Sequence, residues 1–333
     1  MTAAAVVTPP PTTEEVPDRT APRWLQWVFL ANLVAQTAIV ITGGVVRLTG
    51  SGLGCPTWPQ CAPGSFTPTS TQPQAWHKYI EFGNRTLTFV LTIAAIASLV
   101  GALLWARKLR AAGAAPRRPI TWLAAVPLIG TVAQAVLGGV TVLTGLNPAI
   151  VASHFLLSSV LIAATLVLYW RSREPGDEPL LRYGVPAVRR LMWALIAVGA
   201  LVLVMGTAVT GSGPHSGDAD TPNRLGLDPA QMSWLHADVV LLFIGLTVGL
   251  LVTLHVTDAR PAAVRAAWVL LAVELAQGFL GYLQYFTGLP WVIVAVHLAG
   301  SAAVWISLLC VPLAMRTRGR TVATVTTGVT APA

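Results

Sequence analysis

The sequence is short of charge. Only 34 of its 333 residues are Asp, Glu, Lys or Arg, 10% of the chain, where a soluble domain carries about 25%. A water-facing surface cannot be built from so few, and soluble globular, disordered and fibrous classes are excluded. Acidic residues are the scarcest, 13 against 21 basic. The resulting pI near 10.1 would suggest a nucleic-acid partner if the basic residues formed one patch, but they cluster at positions suited to membrane loops, so nucleic acid is set aside. Three cysteines are too few for a disulfide scaffold.

What is present is apolar sequence: 54% hydrophobic residues and a mean hydropathy of +0.67. It falls into eight runs, near 24–46, 79–105, 120–143, 149–170, 191–210, 232–256, 264–287 and 290–314. Each reaches the roughly 20 residues needed to cross about 30 Å of hydrocarbon. The runs lack the two-residue alternation of barrel strands, and backbone groups in lipid must be paired, so each is expected to be a helix. The fold class is all-α, a polytopic protein with the lipid bilayer as its solvent. Residues 1–23 lack the apolar core of a signal peptide and read as a disordered tail, as do residues 315–333.

Seventeen of the 21 cationic residues lie before span 1, after span 8, or in the connections 2–3, 4–5 and 6–7. Arg47, Lys78 and Arg224 lie on the opposite side, and Arg85 alone is expected inside a span. The positive-inside rule then puts both termini in the cytoplasm of a plasma-membrane protein, with the odd-numbered connections outside.

A shift of 143 residues superimposes Ala133–His154 on Ala276–His297 without a gap, with 11 of 22 positions identical, in the pattern A-Q-x-x-L-G-x5-T-G-L-x3-I-V-A-x-H. A weaker echo links Thr49-Gly-Ser-Gly52 with Thr210-Gly-Ser-Gly213. The expected organisation is two tandem four-helix bundles, residues 24–170 and 191–314, joined by a linker at 171–190. An even number of spans per half gives both the same topology and a pseudo-two-fold axis along the membrane normal.

The repeat matches His154 with His297, and each half then has an even-helix pair at similar depth near the outer ends, Asn84 with His154 and His236 with His297. Two histidines at one depth on facing helices of a bundle are a recurrent way to hold haem iron. A single histidine near a helix end has a plainer reading, satisfying a carbonyl or sitting among headgroups. Ionisable groups within spans are nevertheless usually functional, and the matched pair favours ligation. His215 and His255 lack such pairing and read as solvated. Glu274 reads as an interhelical hydrogen-bonding group and Cys310 as a packing residue. Glu81, Asn84 and Arg85 share one face of helix 2. Glu81 and Arg85 form either an i,i+4 ion pair or a functional set, in which Glu81 accepts protons beside a ligand and Arg85 presents a fork to a carboxylate such as a haem propionate. Cys55 and Cys61, in an outward loop and so in an oxidising compartment, favour a disulfide over metal binding.

The segment Gly43-Gly-Val-Val-Arg47-Leu-Thr-Gly-Ser-Gly-Leu-Gly-Cys55-Pro-x-Trp-Pro-x-Cys61, the Glu-x-x-x-Arg opening of helix 2 and the paired T-G-L…H segments resemble the haem A synthase family over roughly residues 24–314. The resemblance implies an enzyme that oxidises a ring methyl group of haem O to the formyl group of haem A for cytochrome oxidase, with haem B as cofactor. It further implies His236 and His297 as ligands of the haem B iron, His154 as ligand of the substrate haem iron, Glu81 as the catalytic carboxylate, and Cys55–Cys61 as the loop disulfide. Asn84 and Arg85 would complete the substrate-haem site, and haem O synthase and cytochrome oxidase assembly proteins would be partners. The family commonly has histidine where this chain has Asn84, so His154 would hold the substrate iron alone or opposite water. His77, two turns earlier, could cap that site. A membrane b-type cytochrome with two bis-histidine haems is the competing expectation. A transporter with parallel repeats is a third, but it predicts helices broken at mid-membrane, whereas the irregular residues here lie at helix ends.

Overall fold

The computed structural model describes residues 18–177, 180–182, 186–218, 220 and 222–318. It contains α1 (Arg23–Leu48), α2 (His77–Ala111), α3 (Arg118–Leu143), α4 (Pro148–Ser172), α5 (Pro186–Ser212), α6 (Pro229–Val256), α7 (Pro261–Phe286) and α8 (Trp291–Ala314). All eight are long and apolar enough to cross a membrane, and large apolar side chains such as Trp122, Phe89 and Phe279 point outward from them. The protein is an all-helical, multi-pass membrane protein. A two-stranded antiparallel ladder, β1 (Leu180–Arg182) with β2 (Arg316–Arg318), is the exception to helix. The tail segments 1–17 and 319–333 lie outside the described residues. Residues 18–22, in the stretch read as tail, are held by hydrogen bonds from Arg19 N to Pro175 O and from Ala21 N to Ser172 O.

Several helices begin where the sequence supplies a start signal. Proline at the first helical position, with its fixed φ and no amide to leave unpaired, opens α4, α6 and α7. Asn147 and Asp228 cap the first free amides of α4 and α6 with their side chains. The repeated T-G-L signature is a stop signal. Gly145 and Gly288 adopt φ of +61° and +77°, a region open to glycine at no steric cost. The next amide then reaches back, Leu146 N to Thr141 O and Leu289 N to Gln284 O, closing each helix in a Schellman-type turn.

The helices have the same neighbours in each half. α1 packs on α2 and α4, α2 on α3, and α3 on α4; correspondingly α5 packs on α6 and α8, α6 on α7, and α7 on α8. Among the described residues no Cα of α2 comes within 8 Å of one in α4, nor any of α6 within 8 Å of one in α8, so these are the diagonal pairs of each ring. The halves meet through α1 against α8, α4 against α5, and α4 against α8.

Packing is uneven along the helices. One fully packed cluster, with Leu25, Phe29, Trp105, Ile120 and Leu168, and another, with Leu195, Phe243, Leu250, Leu270 and Leu308, fill the arginine-rich ends of the two rings. Toward the other end, which carries the disulfide loop, no residue from Pro229 to Leu242 or from Leu275 to Ser301 is buried. Close packing therefore fills the arginine-rich end of each ring; the loop end stays loosely packed in the C-terminal ring, whereas in the N-terminal ring Val46, Glu81 and Leu146 are buried near the disulfide loop.

At the arginine-rich end, Arg117 is 1% exposed. It donates to the carbonyls of Arg19, Glu174 and Gly176 and to Asp177 Oδ1. Glu174 is also within ion-pair range of Arg171, Arg316 and Arg318. The chain entering α1, the connection after α4 and the segment after α8 are thereby fastened together. At the loop end Arg47 does the corresponding work. The sequence reading placed it in a connection, but α1 is longer than its apolar run and Arg47 lies in its last turn. Its guanidinium crosses to the other half, donating to His215 O at 2.7 Å and Thr210 O at 2.8 Å. Gly52 N donates to Gly217 O nearby, so the two T-G-S-G echoes lie on either side of this junction.

Candidate functional site

The four residues of the two even-helix pairs stand at similar depth. Asn84 and His236 are each seven residues into their helices, and His154 and His297 each six, roughly 10 Å from the helix starts at 1.5 Å per residue. Their helices are the diagonal pairs, α2 with α4 and α6 with α8. His236 and His297 lie within electrostatic range of each other.

Each of the four faces a glycine on an adjoining odd-numbered helix. A Cβ at Gly138 would stand 3.4 Å from His154 Cε1, at Gly206 3.5 Å from His236 Cε1, at Gly281 3.5 Å from His297 Cε1, and at Gly43 3.9 Å from Asn84 Nδ2. Sequence reasoning passed over these glycines, although Gly138 and Gly281 are identical positions of the repeat and Gly43 lies in the G-G-V-V-R segment. Any side chain larger than a methyl would fill the space beside each ring.

These features suit a flat macrocycle. Nδ1 of His154, His236 and His297 is buried without a hydrogen-bond partner, so none of the three rings is accounted for by the carbonyl-satisfying role open to a histidine near a helix end. The loop-end interior of the C-terminal ring is not closed by packed side chains. Among the described residues no group of three or more His, Cys, Asp or Glu side chains converges. An iron held here by one or two imidazoles would take its other ligands from a porphyrin.

Glu81 and Arg85 are more heavily engaged than their spacing suggested. Arg85 donates from Nε and Nη2 to Glu81 Oε1, from Nη1 to Thr57 O and Gln60 O, and from Nη2 to Cys55 O. All five guanidinium protons are used, which leaves no donor for the propionate fork expected of Arg85. Glu81, 5% exposed, accepts the Arg85 bonds on Oε1 and the Cys55 amide on Oε2 at 2.6 Å. The pair clamps the disulfide loop to α2. Cys55 and Cys61 are joined, with Cα atoms 4.3 Å apart, and both are buried. The loop lies tightly on the helices: a Cβ at Gly54 would collide with His77 O, and one at Gly139 with the Trp58 ring.

His77 begins α2, stacks on Trp76 and bonds through Nδ1 to Ser51 Oγ at 2.9 Å. His215, read from the sequence as solvated, is half-buried with Nε2 at 3.0 Å from Leu289 O. The loop after α5 folds back over the T-G-L turn, a long-range contact with no local signature. His255 is exposed, as expected. Glu274 is buried on α7 and accepts from Thr247 Oγ1 of α6 at 2.7 Å, the interhelical role foreseen. Cys310 is partly buried against the cluster between the halves.

Eight spans, the same helix neighbours in each half, and imidazoles beside glycine gaps define an all-helical multi-pass membrane protein. Comparison with known sequences narrows this. Residues 25–309 match COX15-CtaA, the family described as cytochrome oxidase assembly protein, and the chain belongs to that family. Among curated relatives it is similar to the Heme A synthase of Lysinibacillus sphaericus (strain C3-41), 35% identical over 178 residues, 53% of each chain. It is also similar to that of Listeria welshimeri, 30% identical over 143 residues, 43% of each chain, and that of Geobacillus kaustophilus, 31% identical over 142 residues, covering 41% of this chain and 40% of that one. The matched stretch thus spans about half the length of these relatives or less.

Proposed function

We propose that the chain is a haem A synthase, oxidising a ring methyl group of haem O to the formyl group of haem A. The observation that carries this reading is the inequality of two otherwise matched rings. The C-terminal ring has two histidines at the matched positions, while the N-terminal ring has one histidine, an asparagine, a nearby carboxylate and the clamped disulfide loop. One ring is suited to hold a haem permanently and the other to admit one as substrate. Family membership and the relatives named Heme A synthase support the same reading.

In this assignment His236 and His297 hold the iron of haem B, which supplies one-electron redox chemistry when bound. Gly206 and Gly281 would leave space for the group beside the two imidazoles. His154 holds the iron of haem O, with Gly138 as the equivalent gap. Glu81 handles the protons lost when the methyl group is oxidised: Arg85 engages Oε1, and Oε2 is held by the Cys55 amide rather than by a cation. Arg85 fixes the carboxylate and fastens the loop, and has no further donor for the substrate. The two rings are tandem bundles related by an axis along the membrane normal. The arginine-rich end with both termini faces the cytoplasm, and the haem sites lie toward the outer face of the plasma membrane. Haem O synthase would deliver the substrate, and cytochrome oxidase assembly proteins would receive the product.

The experiment is to express the chain in cells that make haem O but lack their own haem A synthase, and to extract and separate the haems. Formyl-bearing haem A is the expected product. A preparation holding haem B and unchanged haem O would instead identify an electron-carrying cytochrome.

A further inference from the structure

The difference between the two rings extends to the helix beside each matched position. Asn84 stands on α2 where His236 stands on α6, and each faces a glycine of the preceding helix, Gly43 or Gly206. The residue before that glycine is Thr42 in one ring and Met205 in the other. Thr42 Oγ1 lies 2.8 Å from Asn84 Oδ1, the nearer of its two acceptors, with Ile39 O of its own helix at 3.2 Å, whereas a thioether has no proton to donate to His236. The N-terminal ring therefore differs at two adjoining positions, and the two changes are chemically complementary.

A carboxamide has its acceptor and its two donors on opposite branches of one planar carbon. With the oxygen tied to α1, Nδ2 occupies the other branch, beside the space that a side chain on Gly43 would fill. The amide nitrogen offers donors and no usable lone pair, so it cannot take the place of an imidazole on iron. It can donate a hydrogen bond to whatever small molecule occupies that place. We propose that Asn84, held by Thr42, is a hydrogen-bond donor to a small acceptor ligand, of the size of water, dioxygen or cyanide, on the side of the substrate haem opposite His154. In the C-terminal ring the corresponding position is filled by His236 itself. The inference rests on the haem assignment above and adds to it the role of Asn84 and the identity of its positioning residue.

Cyanide is the probe, added to the ferric full-length protein purified with haem O supplied. One haem should bind cyanide, seen as a Soret shift, and the haem held by His236 and His297 should not. Asn84→Ala and Thr42→Val should each weaken cyanide binding about tenfold, equivalent to about 1.4 kcal/mol, the scale of one hydrogen bond. Asn84→His should abolish cyanide binding and add a second low-spin bis-imidazole signal. A wild-type protein in which no haem binds cyanide would overturn the proposal, as would a Thr42→Val or Asn84→Ala variant whose cyanide affinity stays within twofold of wild type. These failures are separable from failure of the proposed activity: haem A formed by a protein whose cyanide affinity ignores both substitutions removes the donor role alone, whereas absence of any formyl haem removes the activity.

Discussion

Glu81 and Arg85 illustrate what spacing can and cannot reveal. Their separation of four on a helix made the ion pair legible, and the pair forms at 2.6 Å. Their common partner, the backbone of residues 55–60, was not legible, because a loop's path over a helix is set by tertiary contacts rather than by local pattern. That partner alters what the substitutions should do. Arg85→Ala would strip three bonds from the loop and leave the Glu81 carboxylate without its counter-ion in a nearly closed site. We expect a loss of about 3 kcal/mol, the lower end for a broken buried pair because Arg85 keeps 23% exposure. The loss should be read as a lower Tm and as faster alkylation of Cys55 and Cys61 in mild reductant. Glu81→Gln offers one acceptor oxygen where three donors converge, so it too should loosen the loop, but less. If Glu81 handles protons, Glu81→Gln should nevertheless lose far more haem A formation than Arg85→Ala, with haem O accumulating and the haem held by His236 and His297 unchanged. Equal losses in the two variants would leave Glu81 as a clamp alone.

Helices were the most legible level. Each apolar run became one helix, because in lipid no other backbone arrangement satisfies every amide and carbonyl. The ends moved outward where polar residues continued the helix past the hydrocarbon, as with Arg47 at the end of α1 and His77-Lys78 at the start of α2. The T-G-L repeat turned out to mark helix stops, and the same repeat contained Gly138 and Gly281, whose meaning requires knowing which helix lies opposite. Their role predicts a steep dependence on side-chain size. Gly281→Ala places a methyl at ordinary contact distance from His297 Cε1, 3.5 Å, and should retain the haem. Gly281→Leu should push the ring aside and lower haem content severalfold, with the helical circular dichroism unchanged. Full haem occupancy in Gly281→Leu would mean the macrocycle does not lie along this gap.

For the molecule as a whole, the similar depth of His154 and His297 followed from the repeat, and their pairing with Asn84 and His236 followed from helix parity. The junction between halves did not. Arg47 bonded to carbonyls of the other half and Arg117 buried between the chain entering α1 and the connection after α4 give no signal in hydropathy or charge counts. Orientation is a separate expectation, resting on the uneven distribution of Lys and Arg. An impermeant thiol reagent added to intact cells should label a cysteine introduced at Asn147, between α3 and α4, and should miss one introduced at Ala114, between α2 and α3. The reverse pattern would turn the sites to the cytoplasmic face. The division of labour between the rings is tested by comparing His154→Ala with His297→Ala in protein purified after haem O is supplied. We expect His154→Ala to keep a low-spin b-type haem spectrum while losing haem A formation, and His297→Ala to lose that spectrum. Loss of the b-type haem from His154→Ala together with its retention in His297→Ala would contradict the assignment and exchange the roles of the two halves.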